Sequence, residues 1–189
     1  MNIKTKKITF CALAISINVV LGILTSFWKL PLYLDTIGTI LTAIYFGPWL
    51  GAAVGGLTNV VSSLIMGNVK AMPFLIVSVA IGIIVGFIAK KTHWNFTTAL
   101  ITGLILSVVA PLIGTPIGVW VYGGLTGTIS DVLVLWLKNS GTSIFAASFI
   151  AKIFNNFWDK TGTCLLVYFL IKSLPSQYKP LSYSKSNIA

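Results

Sequence analysis

Long runs of apolar residues separated by short polar stretches dominate the pattern of this chain. Five segments of roughly spanning length are followed by a shorter segment and then by a very long one. They lie at residues 8–27, 31–46, 49–66, 72–89, 96–120, 125–137 and 143–174. A transmembrane helix needs about 20 mainly apolar residues, whereas membrane β-barrels alternate with a period of two. The pattern therefore predicts an all-α membrane protein with a bundle of six transmembrane helices.

The sixth of these segments, at residues 125–137, is too short to span the membrane unaided. It follows a Gly-Gly pair and carries Asp131, so we predict a short re-entrant or interfacial helix before the last span. Residues 1–174 then form one integral membrane domain. Residues 175–189 form a polar cytoplasmic tail, whose serine and lysine content predicts disorder.

Composition excludes a water-soluble domain. Only 8% of the residues are charged and 56% are hydrophobic, against roughly 25% charged residues in soluble domains. The net charge of +10 does not indicate nucleic acid, because the lysines gather at the ends of the apolar segments. Lysines at such positions are typical of the cytoplasmic loops of membrane proteins. We therefore expect the chain to contact the lipid bilayer.

The lysines also predict the orientation of the chain. With a cytoplasmic amino terminus and six spans, eight lysines face the cytoplasm and three face outside, which is the positive-inside pattern. Both termini are then cytoplasmic in a multi-pass protein of the cell membrane. The first segment has no small-residue cleavage site after it, which favours an uncleaved helix over a signal peptide.

Three aspartates, Asp35, Asp131 and Asp159, are the only acidic residues. A carboxylate in the hydrocarbon region is unfavourable by several kcal/mol and persists where it faces a cavity or a partner. Counted from the inner ends of their helices, Asp35 and Asp159 each lie roughly 20 Å up. We therefore predict that the two share a level and line a solute site that opens toward the outer face.

Amides and carboxylates at that level can hydrogen-bond a small polar molecule, and aromatic residues near the outer ends can stack on a flat ring. Asn155 shares a helical face with Asp159 through its four-residue spacing. The candidate substrate-binding residues are Trp28, Tyr33, Asp35, Asn59, Trp120, Tyr122, Thr126, Asn155, Asn156, Asp159 and Lys160.

Structural roles are open for several of these candidates. Asp159 can pair with Lys160, and Asp35 can cap the second helix by accepting from backbone amides. The aromatic residues can belong to the interfacial belt. Asn59 can bridge two helices instead of touching a solute.

Small residues recur at four-residue spacing, a pattern that permits close helix packing. Gly51 and Gly55 in the third segment, and Gly82 and Gly86 in the fourth, fit either internal packing or docking to another subunit. In the first segment Ala12 and Ser16 form a further pair, and Ala14 is expected to extend their small face.

Several signatures of chemistry are missing from the sequence. There is no phosphate-binding loop of the Walker type, no cysteine or histidine cluster with metal-ligand spacing, and no nucleophile elbow. The single histidine, His93, stands beside lysines in a predicted cytoplasmic loop. We therefore expect a protein that is not an enzyme and that needs neither a cofactor nor a metal.

Three stretches resemble the substrate-binding S components of energy-coupling factor (ECF) vitamin transporters, and the resemblance covers most of residues 8–174. The first combines 35–39, 45–51 and 55–59, the second is 122–127 with Asp131 following, and the third is 155–160. The resemblance implies a six-helix bundle that captures a vitamin from outside under the loop after helix one. It also implies docking onto a transmembrane coupling subunit driven by two ABC-type ATPases, and release of the vitamin as the bundle topples.

In such proteins helix one carries an alanine-x-x-x-alanine docking motif, which Ala12 and Ser16 match with one substitution. Similar members are linked to pyridoxine, hydroxymethylpyrimidine and pantothenate. The amide, aspartate and aromatic inventory favours a neutral ring such as pyridoxine or hydroxymethylpyrimidine. Pantothenate comes next, since its carboxylate needs Lys160, an outer lysine or a helix amino terminus.

Two other functions remain open. In a self-sufficient secondary transporter, Asp35 or Asp159 would carry a coupling proton. A membrane sensory or scaffold module would have no transport cycle. Uptake by reconstituted liposomes separates the three hypotheses, since only an S component requires the ATPase subunits.

Overall fold

The computed structural model describes residues 2–30 and 32–184, except for the side chains of Leu181 and Ser184. Within these ranges the chain contains helices and no strand, which confirms the all-α fold. Short 3-10 helices at Val69–Phe74 and Ser176–Tyr178 accompany eight α-helices. These are α1 (Ile3–Phe27), α2 (Ile37–Phe46), α3 (Pro48–Ile65), α4 (Leu75–Lys91), α5 (Phe96–Tyr122), α6 (Asp131–Asn139), α7 (Ile144–Ser173) and α8 (Leu181–Ser184).

Four helical stretches are long and apolar enough to cross a membrane by length and composition. They are α1, α3, α5, and α4 together with the 3-10 helix before it. Helix α2 is shorter than the predicted segment at 31–46, because the residues before Ile37 form a loop in which Leu34 has a positive φ of 50°. The predicted start at Pro31 lies outside the described residues.

The last helices also differ from the predicted boundaries. Helix α6 starts at Asp131, six residues later than predicted, because Gly123, Gly124 and Gly127 adopt positive φ and form turns. Such φ values favour glycine. Helix α7 runs for 30 residues without a break and packs most extensively against α5.

Close packing between α3 and α4 explains the glycine spacing in both helices. A Cβ atom on Gly82 would overlap the backbone of Gly51 and Ala52, and one on Gly86 would overlap the backbone of Pro48. Because glycine has no side chain, the two backbones can touch, as they do at small-residue motifs in membranes. At these positions the spacing serves internal packing.

The segment after α7 packs against the end of the bundle that holds the α2–α3 and α4–α5 connections. The Tyr45 hydroxyl donates to the Tyr178 carbonyl at 2.8 Å, and the Trp94 amide donates to the Ser182 carbonyl at 3.0 Å. The prediction of a disordered tail is therefore wrong for its described part. Residues 185–189 lie outside the described residues.

Candidate functional site

A cavity of about 260 Å³ lies where the α1–α2, α3–α4 and α5–α6 connections converge. One wall is apolar and includes Phe74, Val77 and Ile81, whereas the opposite wall carries amides, hydroxyls and charges. Ligand sites commonly combine apolar walls with a few polar groups that fix orientation. Seven predicted site residues line this cavity: Tyr33, Asp35, Asn59, Tyr122, Thr126, Asn156 and Lys160.

Helix α7 supplies the polar wall through Lys152, Asn156 and Lys160, which lie one turn apart on one face. The Asn156 side chain donates to the Lys152 carbonyl at 2.8 Å, which fixes the orientation of the amide at the cavity wall. The sequence analysis missed Lys152. Its four-residue spacing from Asn156 is the signal that could have identified it.

Lys160 lies at the centre of a charged cluster. Its Nζ is 2.7 Å from Asp159 Oδ2, 3.4 Å from Asp35 Oδ1 and 3.2 Å from Thr36 Oγ1. The pairing of Asp159 with Lys160 confirms that structural alternative, and both aspartates lie at one level, as predicted. With two carboxylates on one ammonium, the cluster carries one net negative charge when all three groups are ionised.

The expectation that Asp35 caps α2 is wrong. Helix α2 has no side-chain cap, and the Gly38 amide donates instead to the Asn18 side-chain oxygen at 2.7 Å. The Asp35 carboxylate accepts instead from Lys160 Nζ at 3.4 Å. The Asp35 side chain stays 41% exposed at the edge of the cavity, so it can still reach a solute.

Asp159 is fully buried and does not line the cavity. Its Oδ1 accepts from the backbone amides of Tyr33 at 2.8 Å and Leu34 at 3.0 Å. The positive φ of Leu34 lets two successive N–H groups point at one oxygen, as in backbone anion sites. Asp159 therefore holds the α1–α2 loop in place beside the cavity.

Asn155 also faces this loop, since its side chain donates to the Tyr33 hydroxyl at 3.4 Å. Thr25 adds a second anchor by donating to the Tyr33 carbonyl at 2.9 Å. Asn155 thus supports a cavity residue without lining the cavity itself.

Trp28 and Trp120 are 63% and 83% exposed and do not line the cavity. Their positions fit the interfacial aromatic belt. Asn59 lines the cavity, and its buried Oδ1 has no hydrogen-bond partner among the described residues. Since buried polar atoms normally have partners, this oxygen is available to water or a solute.

Two connections contribute polar contacts that the sequence analysis did not predict. Asn68 lines the cavity and accepts from the Tyr122 hydroxyl at 2.9 Å. Asp131 accepts from the backbone amides of Thr126 at 3.1 Å and Gly127 at 2.7 Å. Asp131 thereby orders the α5–α6 connection, from which Thr126 reaches the cavity. Backbone pairing of this kind leaves no periodic signal in a sequence.

Helix α1 presents different residues on its two sides. Ala12 and Ser16 are exposed, whereas Ala14 is buried against Gly38, whose Cβ position would overlap the Ala14 backbone. The expectation that Ala14 extends the exposed small face is therefore wrong. Ala14 instead allows α1 and α2 to pack closely.

The described part of the chain is thus an all-helical membrane protein whose cavity offers both polar and apolar walls to a small molecule. The sequence model of the family described as "ECF-type riboflavin transporter, S component" matches residues 2–174. The chain belongs to this family, which confirms the resemblance to ECF S components. Among curated proteins, none matches the chain.

Membership of this family establishes the general role of the chain. S components are substrate-binding subunits of vitamin transporters and not enzymes, and they work with a transmembrane coupling subunit and ATPases. The apolar helices agree with a protein of the cell membrane.

Proposed function

We propose that this chain captures a flat heteroaromatic vitamin in the cavity from outside and delivers it through an ATP-driven ECF complex. The observation that carries the proposal is the cavity itself, in which one apolar wall faces the polar stripe of α7. A ring can pack on the first wall while its polar edge bonds to the second. The α1–α2 loop, held by Asp159, covers one side.

Riboflavin is the first candidate substrate, because the family that matches the chain is described by it. A second observation favours a smaller vitamin: the cavity volume of about 260 Å³ lies just below the roughly 300–1,000 Å³ of typical ligand pockets. Pyridoxine and hydroxymethylpyrimidine are therefore the second candidates. Pantothenate ranks third, because it has no flat ring to pack on the apolar wall and Lys160 is already held by two carboxylates.

We further propose six spans with both termini in the cytoplasm. Besides the four long apolar helices, α2 with its preceding loop and α7 complete the set, and α6 lies at the interface. Three connections line the cavity at one end, while the α2–α3 turn and the segment after α7 meet at the other. This alternation, together with the lysine distribution, supports the topology.

Direct titration tests the capture function. The purified chain in detergent is titrated with riboflavin, pyridoxine, hydroxymethylpyrimidine and pantothenate by calorimetry. Liposome uptake is then measured with and without the coupling subunit and two ATPases. Tight binding with uptake that requires ATP supports the proposal. Proton-driven uptake by the chain alone would indicate a secondary transporter, and no binding to any vitamin would overturn the capture function.

The exposed pair Ala12 and Ser16 is our candidate surface for docking to the coupling subunit. Ala12→Leu or Ser16→Leu should leave vitamin binding unchanged and reduce ATP-driven uptake at least tenfold, because a bulky residue holds the helices apart. Ala53→Leu makes the same kind of change at an exposed position of α3 and serves as the control. Normal uptake by both α1 variants would exclude docking at this face.

A further inference from the structure

Lys152 differs from the other lysine at the cavity because it has no carboxylate partner. Both ion pairs among the described residues belong to Lys160. Asp131, the remaining aspartate, accepts from the backbone amides of its own connection. None of the three aspartates therefore lies within the 4.0 Å ion-pair distance of Lys152 Nζ.

The contacts of the Lys152 ammonium leave part of its hydrogen-bonding capacity unused. Nζ donates to the Gly114 carbonyl at 3.1 Å and lies 5.5 Å from the centre of the Phe74 ring. An ammonium has three N–H donors, and one carbonyl and one aromatic face do not use all of them. A partly buried cation with no carboxylate at ion-pair distance is incompletely compensated, so an acceptor that enters the cavity gains a strong, charge-assisted hydrogen bond.

The aromatic surroundings show which kind of acceptor fits. Phe74 lies 6.3 Å from Tyr122 between ring centres, and both line the cavity beside Lys152. A flat ring that packs against these side chains brings its edge toward the ammonium. The acceptor is then an oxygen attached to the ring or close to it.

We propose that Lys152 determines substrate specificity by donating to a carbonyl or carboxylate oxygen of the vitamin. This inference rests on the capture function proposed above. It separates the ring-bearing candidates, since riboflavin carries ring carbonyls, whereas pyridoxine and hydroxymethylpyrimidine carry none. Pantothenate offers a carboxylate but no flat ring to pack against Phe74 and Tyr122. Lys152 thus supports the riboflavin assignment independently of the family description.

The test is calorimetric titration of Lys152→Met and Lys152→Arg with riboflavin and pyridoxine, alongside thermal unfolding. Lys152→Met should weaken riboflavin binding at least tenfold, and Lys152→Arg should restore part of the loss because it keeps the charge. Lys172→Met, at an exposed position of the same helix, should bind like the wild type. If Lys152→Met lowers the unfolding temperature, the test is the riboflavin affinity of Lys152→Arg compared with that of the wild type, provided that its unfolding temperature is unchanged.

The possible failures are distinguishable. Wild-type protein that binds no vitamin would overturn the capture function itself. Tight riboflavin binding that neither Lys152 variant changes would overturn only the role of Lys152. Wild-type protein that binds pyridoxine more tightly than riboflavin would likewise overturn the carbonyl preference while leaving vitamin capture intact.

Discussion

Two neighbouring faces of α7 carry the same kinds of polar residue and place them differently. Asn156 and Lys160 face the cavity, whereas Asn155 and Asp159 face the α1–α2 loop. One residue of displacement turns a side chain by about 100° around a helix with 3.6 residues per turn. The polar residues of α7 therefore divide into a cavity face, whose side chains line the cavity, and a loop face, whose side chains hold the α1–α2 loop.

Lys160 connects the two faces. Its ammonium contacts buried Asp159 on the loop side and partly exposed Asp35 at the edge of the cavity. A change of charge on either face therefore alters the other. Vitamin binding can therefore be lost directly, through a missing solute contact, or indirectly, through a displaced loop. Variants on the two faces of α7 distinguish these two causes.

Removal of the charge on the loop face should have the largest effect. Asp159→Asn keeps the shape of the side chain but leaves Lys160 with only Asp35 at 3.4 Å. Breaking a buried ion pair typically costs about 3–5 kcal/mol. We expect a lower unfolding temperature and at least tenfold weaker vitamin binding without loss of membrane insertion, measured by thermal unfolding and calorimetry.

A double variant provides the control for this prediction. Asp159→Asn combined with Lys160→Met removes both buried charges, so it should unfold at a higher temperature than Asp159→Asn alone. Equal or lower stability of the double variant would show that the loss of one carboxylate from the buried ammonium is not the cause. Unchanged stability and affinity in Asp159→Asn would exclude its role in holding the loop.

Substitutions on the cavity face should weaken vitamin binding without lowering stability. Asn156→Ala removes an amide at the cavity wall, and we expect at least tenfold weaker binding, equivalent to about 1.4 kcal/mol, with little change in unfolding temperature. Asn155→Ala is the matched control, because this amide lies on the loop face. Equal losses of affinity in the two variants would contradict the division of α7 into two faces.

The sequence allowed the fold to be predicted to the level of class and segment order, because apolar runs report directly on membrane burial. It could not provide the start of α2, since the loop before it depends on Asp159, more than 120 residues away in the chain. It also could not provide the start of α6, because the glycine turns before this helix have no apolar pattern. Boundaries that depend on backbone conformation or distant contacts have no periodic signature.

The candidate site could also be predicted only in part. Depth along the helix brought Asp35 and Asp159 to one level, but depth does not define which way a side chain points. Trp28 and Trp120 lie at suitable depth and face outward. Asp159 was predicted to line the site but holds the α1–α2 loop, because a one-residue shift from Lys160 changes the face of the helix. Only the packing partners define that face.

The smallest expected effect concerns the hydrogen bond between Asn155 and the Tyr33 hydroxyl. Its length of 3.4 Å exceeds the usual 2.7–3.2 Å range, so its net contribution should lie near the lower end of about 0.5–1.5 kcal/mol. Tyr33→Phe should therefore weaken vitamin binding only about two- to threefold, measured by calorimetry. The Tyr33 backbone still donates to Asp159 in this variant, so the loop keeps its main anchor. A loss of tenfold or more would show that the hydroxyl contacts the vitamin directly, so that Tyr33 binds the solute as well as forming part of the loop.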